Sequence, residues 1–206
     1  ISNVVQQGDI NLNPEKNSTF KIGTRYRQNG LSATLSGFYA HGTDMIDWVQ
    51  TSETEQQDSK YHVMNIGKLN NMGYNLDATL YMQELIPHCF ITRIKLGYAY
   101  IYQEHKTDAT ILKSLYALEY LRHKAVFGLD HQIWKNLSAS WSVRWQQRMN
   151  GYHPYTKVDC KLMWDAKKYS IYVKADNITC HRYYDLTAVK QPGLWVMAGA
   201  CINLGW

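Results

Sequence analysis

The feature that most constrains this chain is a period of two that recurs along nearly its whole length. It is cleanest in the last stretch, GLWVMAGACINLGW, residues 193–206. Leu194, Val196, Ala198, Ala200, Ile202, Leu204 and Trp206 fall on one face, and Trp195, Met197, Gly199, Cys201, Asn203 and Gly205 on the other. A period of two is that of a β-strand. One face is apolar throughout, so the strand needs a greasy surface against it, and an end on an aromatic ring suits a water–apolar boundary. A strand of a soluble sandwich reads the same in isolation. The rest of the chain decides.

Residues 1–17 are rich in Asn and read as loop, and from Ser18 the alternation begins: Phe20, Ile22, Thr24 and Tyr26 against Lys21, Gly23, Arg25 and Arg27. Asn29-Gly30 signals a tight hairpin turn. The return strand shows Leu31, Ala33, Leu35, Gly37 and Tyr39 and runs on to MIDWV (45–49). TSETEQQDSK (51–60) is polar enough to predict an exposed loop. One long strand is expected from Tyr61 to Met82, turned by ELIPH (84–88). Phe90, Thr92, Ile94, Leu96, Tyr98 and Tyr100 then oppose Arg93, Lys95, Gly97 and Ala99 before a second polar loop at 103–118. Ala125, Phe127, Leu129 and Ile133 face away from Lys124, Gly128, Asp130 and Gln132, and Trp134-Lys135-Asn136 is the expected turn. Leu137, Ala139, Trp141, Val143 and Trp145 oppose Ser138, Ser140, Ser142, Arg144, Gln146 and Arg148. Val158, Cys160, Leu162 and Trp164, then Tyr169, Ile171, Val173 and Ala175 after a DAKK turn, bring the total with the final strand to nine.

The connections sort by length. Those at 28–30, 84–88, 134–136 and 165–168 are short and those between them mostly long, and the two kinds alternate. Short turns at one end and long loops at the other distinguish a membrane-spanning β-barrel, and a sandwich gives no reason for them. The aromatics agree: Tyr26, Trp134, Trp164 and Trp206 collect at the short-turn ends, Trp145 lies towards the long-loop ends, and Trp141 lies between them on the same apolar face. Such a girdle suits sixteen Tyr and seven Trp in a chain of low mean hydropathy, −0.43. No apolar run approaches the ~20 residues of a transmembrane helix, which excludes a helical membrane protein. The fold class is therefore all-β, an antiparallel transmembrane β-barrel, and an odd strand count beginning in a loop predicts a partial one. The chain opens without Met in mid-protein style and is expected to be a fragment.

The segments NLNPEKNSTFKIGTRY (11–26), MIDWV (45–49), NIGKLNNMGYNLDATL (65–80) and VKADNITCHRYYDLTAVKQPG (173–193), with the aromatic end at Trp206, resemble in their order the C-terminal part of a TonB-dependent outer-membrane receptor. Residues 1–206 would then all belong to its barrel domain, as about nine C-terminal strands of a barrel of about 22. The likeness is greatest to cobalamin or siderophore receptors of the Bacteroidetes type. It implies a Gram-negative outer membrane, energy-coupled uptake of a scarce large nutrient, cobalamin first and a ferric siderophore or haem second, and no enzymatic activity. The implied partners are outer-membrane lipid, the plug and N-terminal strands of the receptor, the barrel assembly machinery through the C-terminal strand, and the TonB complex through the plug alone. A plug-less passive porin or structural barrel, and less so a barrel hydrolase acting at its rim, are the alternatives.

Candidate site residues follow from the facing. Arg93, Lys95, Lys124, Arg144, Arg148, Lys157, Lys161 and Lys174 are expected on the inner wall, where they would hold a plug or favour anionic solutes. Trp48, Tyr61, His62, His105, Tyr152, His153, Tyr155, His181, Tyr183 and Tyr184 fall in the long loops, where flat rings and imidazoles suit a large ligand. The eight His have no HxxxH or HExxH spacing and the four Cys no CxxC, so neither a metal nor a cofactor is expected. His41 with Asp44 and His153 with Asp159 have no nucleophile in a recognisable setting, so no catalytic residue is assigned. A net charge of +5 without a Lys/Arg run argues against a nucleic-acid partner.

Overall fold

The computed structural model describes residues 6–57, 60–106, 111–114, 121–149, 153–184 and 190–202. The elements in chain order are β1 (Gln6–Gln7), β2 (Lys16–Gln28), β3 (Leu31–Thr43), β4 (Ile46–Thr51), α1 (Ser52–Gln57), β5 (Tyr61–Asn65), β6 (Lys68–Tyr81), α2 (Met82–Leu85), β7 (Ile91–Lys106), β8 (Ile111–Ser114), β9 (Leu121–Trp134), β10 (Leu137–Arg148), β11 (Tyr155–Asp165), β12 (Tyr169–Asp176) and β13 (Trp195–Ile202). They form a nine-stranded sheet in the order β13-β12-β11-β10-β9-β7-β6-β3-β2 and a four-stranded sheet in the order β1-β5-β4-β8. Every neighbouring pair in the large sheet is antiparallel. The nine expected strands are the nine of this sheet.

Register carries each alternation across to its neighbours. Tyr26, Ala33, Ala78, Leu96, Phe127, Val143 and Val158 make one transverse row through successive pairings. Leu162, Val173 and Ala198 continue the apolar face to β13. On the opposite face Arg25, Thr34, Asp77, Gly97, Val126, Arg144 and Lys157 form the adjacent row. A one-residue slip anywhere would exchange the two faces, so the pattern fixes the register. Among the described residues the buried apolar side chains are only Val49, Ile66, Leu69, Ala139 and Tyr155. The chain exposes 13983 Å², against the ~9,900 Å² expected of a soluble folded chain of 24.0 kDa. Phe20, Ile22 and Ile202, each about two-thirds exposed or more, belong to the apolar face. A single layer with one greasy face is stable only if something apolar covers that face.

The short turns are as expected in kind. Asn29 (φ 45°) and Gly30 (φ 72°) are both left-handed, the combination that matches hairpin twist. Three details correct the sequence reading. Trp134 closes β9 opposite Leu137 and the turn itself is Lys135-Asn136. The expected strand from Tyr61 to Met82 is broken at Ile66-Gly67, where Gly67 takes φ 84°, and its two halves join different sheets. The run from β3 likewise breaks at Asp44 (φ 55°), so MIDWV leaves the large sheet.

Within the polar segments expected as loops, most of the described residues are folded. Residues 51–60 contain α1, and the 103–118 segment holds the end of β7 and all of β8. Gln6 and Gln7, within the expected opening loop, pair in parallel with Tyr61 and His62. This small sheet buries Asp47, Gln50, Thr51 and Ser114 beside Val49. Its polar atoms are satisfied internally: the Ser114 hydroxyl donates to Asp47 Oδ2, the Trp48 amide donates to Asp47 Oδ1 at 2.7 Å, and Lys113 Nζ reaches Gln50 Oε1 at 3.2 Å. Composition alone reads such a run as solvated, whereas paired partners let it be buried.

Candidate functional site: the polar face and its long-loop mouth

The polar face is crowded with cations because every second residue of five neighbouring strands projects there. Seven of the eight predicted cations lie on it: Arg93 and Lys95 on β7, Lys124 on β9, Arg144 on β10, Lys157 and Lys161 on β11, and Lys174 on β12. Arg148 stands opposite Leu121, past a register shift. Several are neutralised locally. Arg93 Nε lies 2.7 Å and Lys95 Nζ 3.7 Å from Asp130 Oδ2, Lys157 Nζ is 3.4 Å from Asp159 Oδ1, and Lys174 Nζ is 2.9 Å from Asp176 Oδ2. Lys161 Nζ sits 4.6 Å over the Tyr172 ring, which in turn covers Gly199; a Cβ there would come within 2.6 Å of that ring.

Two cations are different. Arg144 Nε is buried without a hydrogen-bond partner, and no carboxylate pairs with Arg144 or Lys124 among the described residues. They sit on adjacent strands one row apart, Lys124 opposite Gln146 and Arg144 opposite Val126. A hollow of about 370 Å³ opens beside Lys124 over Gly97 and Ala99, with Lys95, Asn75 and Asp77 on its border. Small residues leave this space, and the charge around it is net positive.

Above Arg144, at the long-loop end, Tyr155 begins β11. It is buried, opposite Gln146, whose side-chain amide donates to its hydroxyl. Tyr183 stacks on Tyr155 with centroids 4.3 Å apart, and His181 lies at 6.2 Å, interplanar 18°. Asn177 holds this loop in place. It is left-handed (φ 55°) and almost fully buried; its amide donates to Asp159 Oδ1 at 2.8 Å, its Nδ2 donates to the carbonyls of His181 (2.9 Å) and Pro192 (3.3 Å), and its Oδ1 accepts from the His181 amide at 3.1 Å. Asn tolerates both the backbone and the three-way bonding. Beneath lies a cavity of about 210 Å³ bordered by Lys157, Tyr183, Gly193, Trp195 and Met197.

Of the ring-bearing loop residues expected to act together, the structure thus brings Tyr155, His181 and Tyr183 into one cluster. Trp48 on β4 and Tyr61 and His62 on β5 belong to the small sheet, and His105 extends β7 opposite Leu69. His153 is exposed just ahead of β11, and Tyr184 bridges to Lys190. Tyr152 and Trp206 lie outside the described residues. Tyr26, Trp134, Trp141, Trp145 and Trp164 all lie on the apolar face by register. Sequence reasoning missed Asn177, Gln146 and Trp195. The Asp-Asn pair ending β12 was the available signal for the first, since Asn after a strand is a turn residue.

A sequence model described as "TonB dependent receptor-like, beta-barrel" matches residues 2–178. The chain belongs to the TonB-dependent receptor family. Solved receptors agree in fold. The copper transporter OprC superposes with a TM-score of 0.71 at 16% identity over 94% of this chain and 33% of that one. The FrpB iron transporter from Neisseria meningitidis (F3-3 variant) gives 0.67 at 15% identity, over 95% and 32%. A mutant of the ferric enterobactin receptor PfeA from Pseudomonas aeruginosa, in complex with enterobactin, gives 0.63 at 17% identity, over 95% and 32%. The chain spans about a third of the length of these structures.

TonB-dependent receptor barrels reside in the Gram-negative outer membrane, which supplies the apolar cover that the exposed face requires. No helix among the described residues is long and apolar enough to cross a membrane, and the strands do the crossing. Long loops mark the extracellular end of such barrels. The Tyr155 cluster lies at the long-loop end of the sheet, and the cations share the face opposite the apolar one. Among the described residues no three His, Cys, Asp or Glu side chains converge as a metal site.

Proposed function

We propose that residues 1–206 form the C-terminal part of the barrel of an energy-coupled receptor that takes up a scarce, bulky nutrient, and that the cargo is an anionic chelate with flat rings. The observation that carries this is the placement of the unpaired Arg144 and Lys124 below the stacked Tyr155, Tyr183 and His181. Rings at the mouth give a ligand π-faces to stack on, and cations held in a confined wall attract negative charge more strongly than they would in bulk water. This chemistry favours a ferric siderophore or haem over cobalamin. A plug held against the lumen wall would be the element the TonB complex acts on, and β13 the strand that the assembly machinery engages. The reading is of a transport receptor, with no catalytic step assigned to the wall.

The test is ligand binding by the full receptor, followed by tryptophan fluorescence, with a ferric catecholate, haem and cyanocobalamin as probes. The double variant Lys124→Ala/Arg144→Ala is expected to weaken binding of the anionic probe at least tenfold, about 1.4 kcal/mol. Cyanocobalamin binding tightest, or an anionic probe indifferent to both substitutions, would overturn the choice of cargo.

A further inference from the structure

The lipid face carries a histidine at each end of its apolar band. On β9, His123 and His131 flank Ala125, Phe127 and Leu129 on the same face. The eight residue steps from one to the other span about 26 Å of strand, or about 20 Å along the membrane normal at a tilt of ~40°. The apolar band of such a barrel is about 25 Å tall. His123 therefore sits at the outer-leaflet edge of the band, and His131 about 20 Å further in, towards the short turns.

His131 is occupied: Trp141 Nε1 donates to its Nε2 at 3.2 Å. His123 differs. Its Nδ1 lies 2.7 Å from the Tyr98 hydroxyl, and the Tyr100 and Trp145 rings enclose it at 4.9 and 6.1 Å. A neutral imidazole and a phenol together hold two polar hydrogens, and one is used between them. Whichever tautomer forms, one donor remains at the edge of the bilayer. Directly towards the membrane centre, Ala78 and Ala125 stand low between Leu76, Leu96, Phe127, Val143 and Trp145, leaving a groove of about 370 Å³.

We propose that this groove and the Tyr98–His123 pair form a site for one phosphate-bearing lipid of the outer leaflet, one acyl chain in the groove and a phosphate oxygen on the spare donor. The membrane supplies the occupant, and the groove selects a chain over bulk lipid because its walls contact the chain on three sides. An anionic oxygen is the acceptor that strengthens such a bond most. The site is independent of the cargo and of the lumen.

The full receptor in neutral detergent, folded as judged by heat-modifiable gel mobility, is titrated with phosphatidic acid and with diacylglycerol of the same chains by native mass spectrometry. The expected result is at least tenfold tighter retention of phosphatidic acid. Tyr98→Phe/His123→Phe should abolish that preference while His131→Phe preserves it, and Ala125→Leu should lower retention of both lipids. Equal retention of the two lipids by the wild-type protein would overturn the headgroup contact without needing any variant. Unchanged retention in Ala125→Leu would overturn the groove.

Discussion

Trp141 offers the sharpest test of which face meets lipid. It is the fifth residue of β10, opposite Leu129 and Cys160 on the apolar face, and 37% exposed. It stands four residue steps from Leu137, the first of the strand. That distance is about 13 Å of strand and about 10 Å along the normal at ~40° tilt, close to the middle of a band about 25 Å tall. Arg at mid-depth on the lipid face of a barrel costs about 2–4 kcal/mol. Ser140, its neighbour, lies on the polar face between Asp130 and Lys161. Arg there gains the Asp130 carboxylate, already shared by Arg93 and Lys95, and remains in a polar setting, so Ser140→Arg should cost under about 1 kcal/mol. The assay is denaturant-driven folding of the full receptor into lipid vesicles, with both variants beside the wild type. A difference of about 2 kcal/mol is a factor of about 30 in the equilibrium. Equal costs for the two would refute the facing assignment, and with it the reading of every row tied to β10.

Three further outcomes follow from particular contacts. Asn177→Ala removes three of the bonds that hold the His181–Pro192 segment and leaves a left-handed backbone without its stabiliser, so about 2–3 kcal/mol of local stability should be lost; limited proteolysis of residues 178–192 should accelerate, and an unchanged rate would contradict the clamp. Gly73→Ala would place a Cβ 2.3 Å from the Tyr100 carbonyl and 2.9 Å from the Phe38 ring, so folding stability should fall by about 1–3 kcal/mol, whereas Gly37→Ala, whose nearest neighbour would be at 3.6 Å, should be mild by comparison in the same titration. Ser114→Ala leaves buried Asp47 without its bond from β8, so hydrogen exchange at 111–114 should speed up in proportion to about 1–3 kcal/mol, and unaltered protection would show that this contact does not fasten β8 to β4.

The large sheet was legible in the sequence because its constraint is local and repeats. Each strand has one face in lipid and one in a polar lumen, so the choice of residue at every second position is forced by solvent, and reading the parity of residues 20–26, 137–145 or 194–202 recovers the facing without knowing a single contact. Turn chemistry is equally local, as Asn29-Gly30 shows. The family likeness gave the architecture that parity alone leaves open.

What only the tertiary structure decided lies where residues distant in sequence satisfy one another. Asp47 and Ser114 are buried as a hydrogen-bonded pair, and nothing in MIDWV or in the polar run after Tyr102 announces that partnership. The break at Ile66-Gly67 is of the same kind, since an unbroken alternation cannot show that its two halves pair with different sheets. The mouth cluster depends on Asn177 folding the loop back over Tyr155, and the groove on the apolar face on Ala78 and Ala125 falling in adjacent rows on either side of β7. Solvent dictates the parity of a strand one residue at a time, but a hydrogen bond or a hollow needs two or more strands in fixed register before it exists.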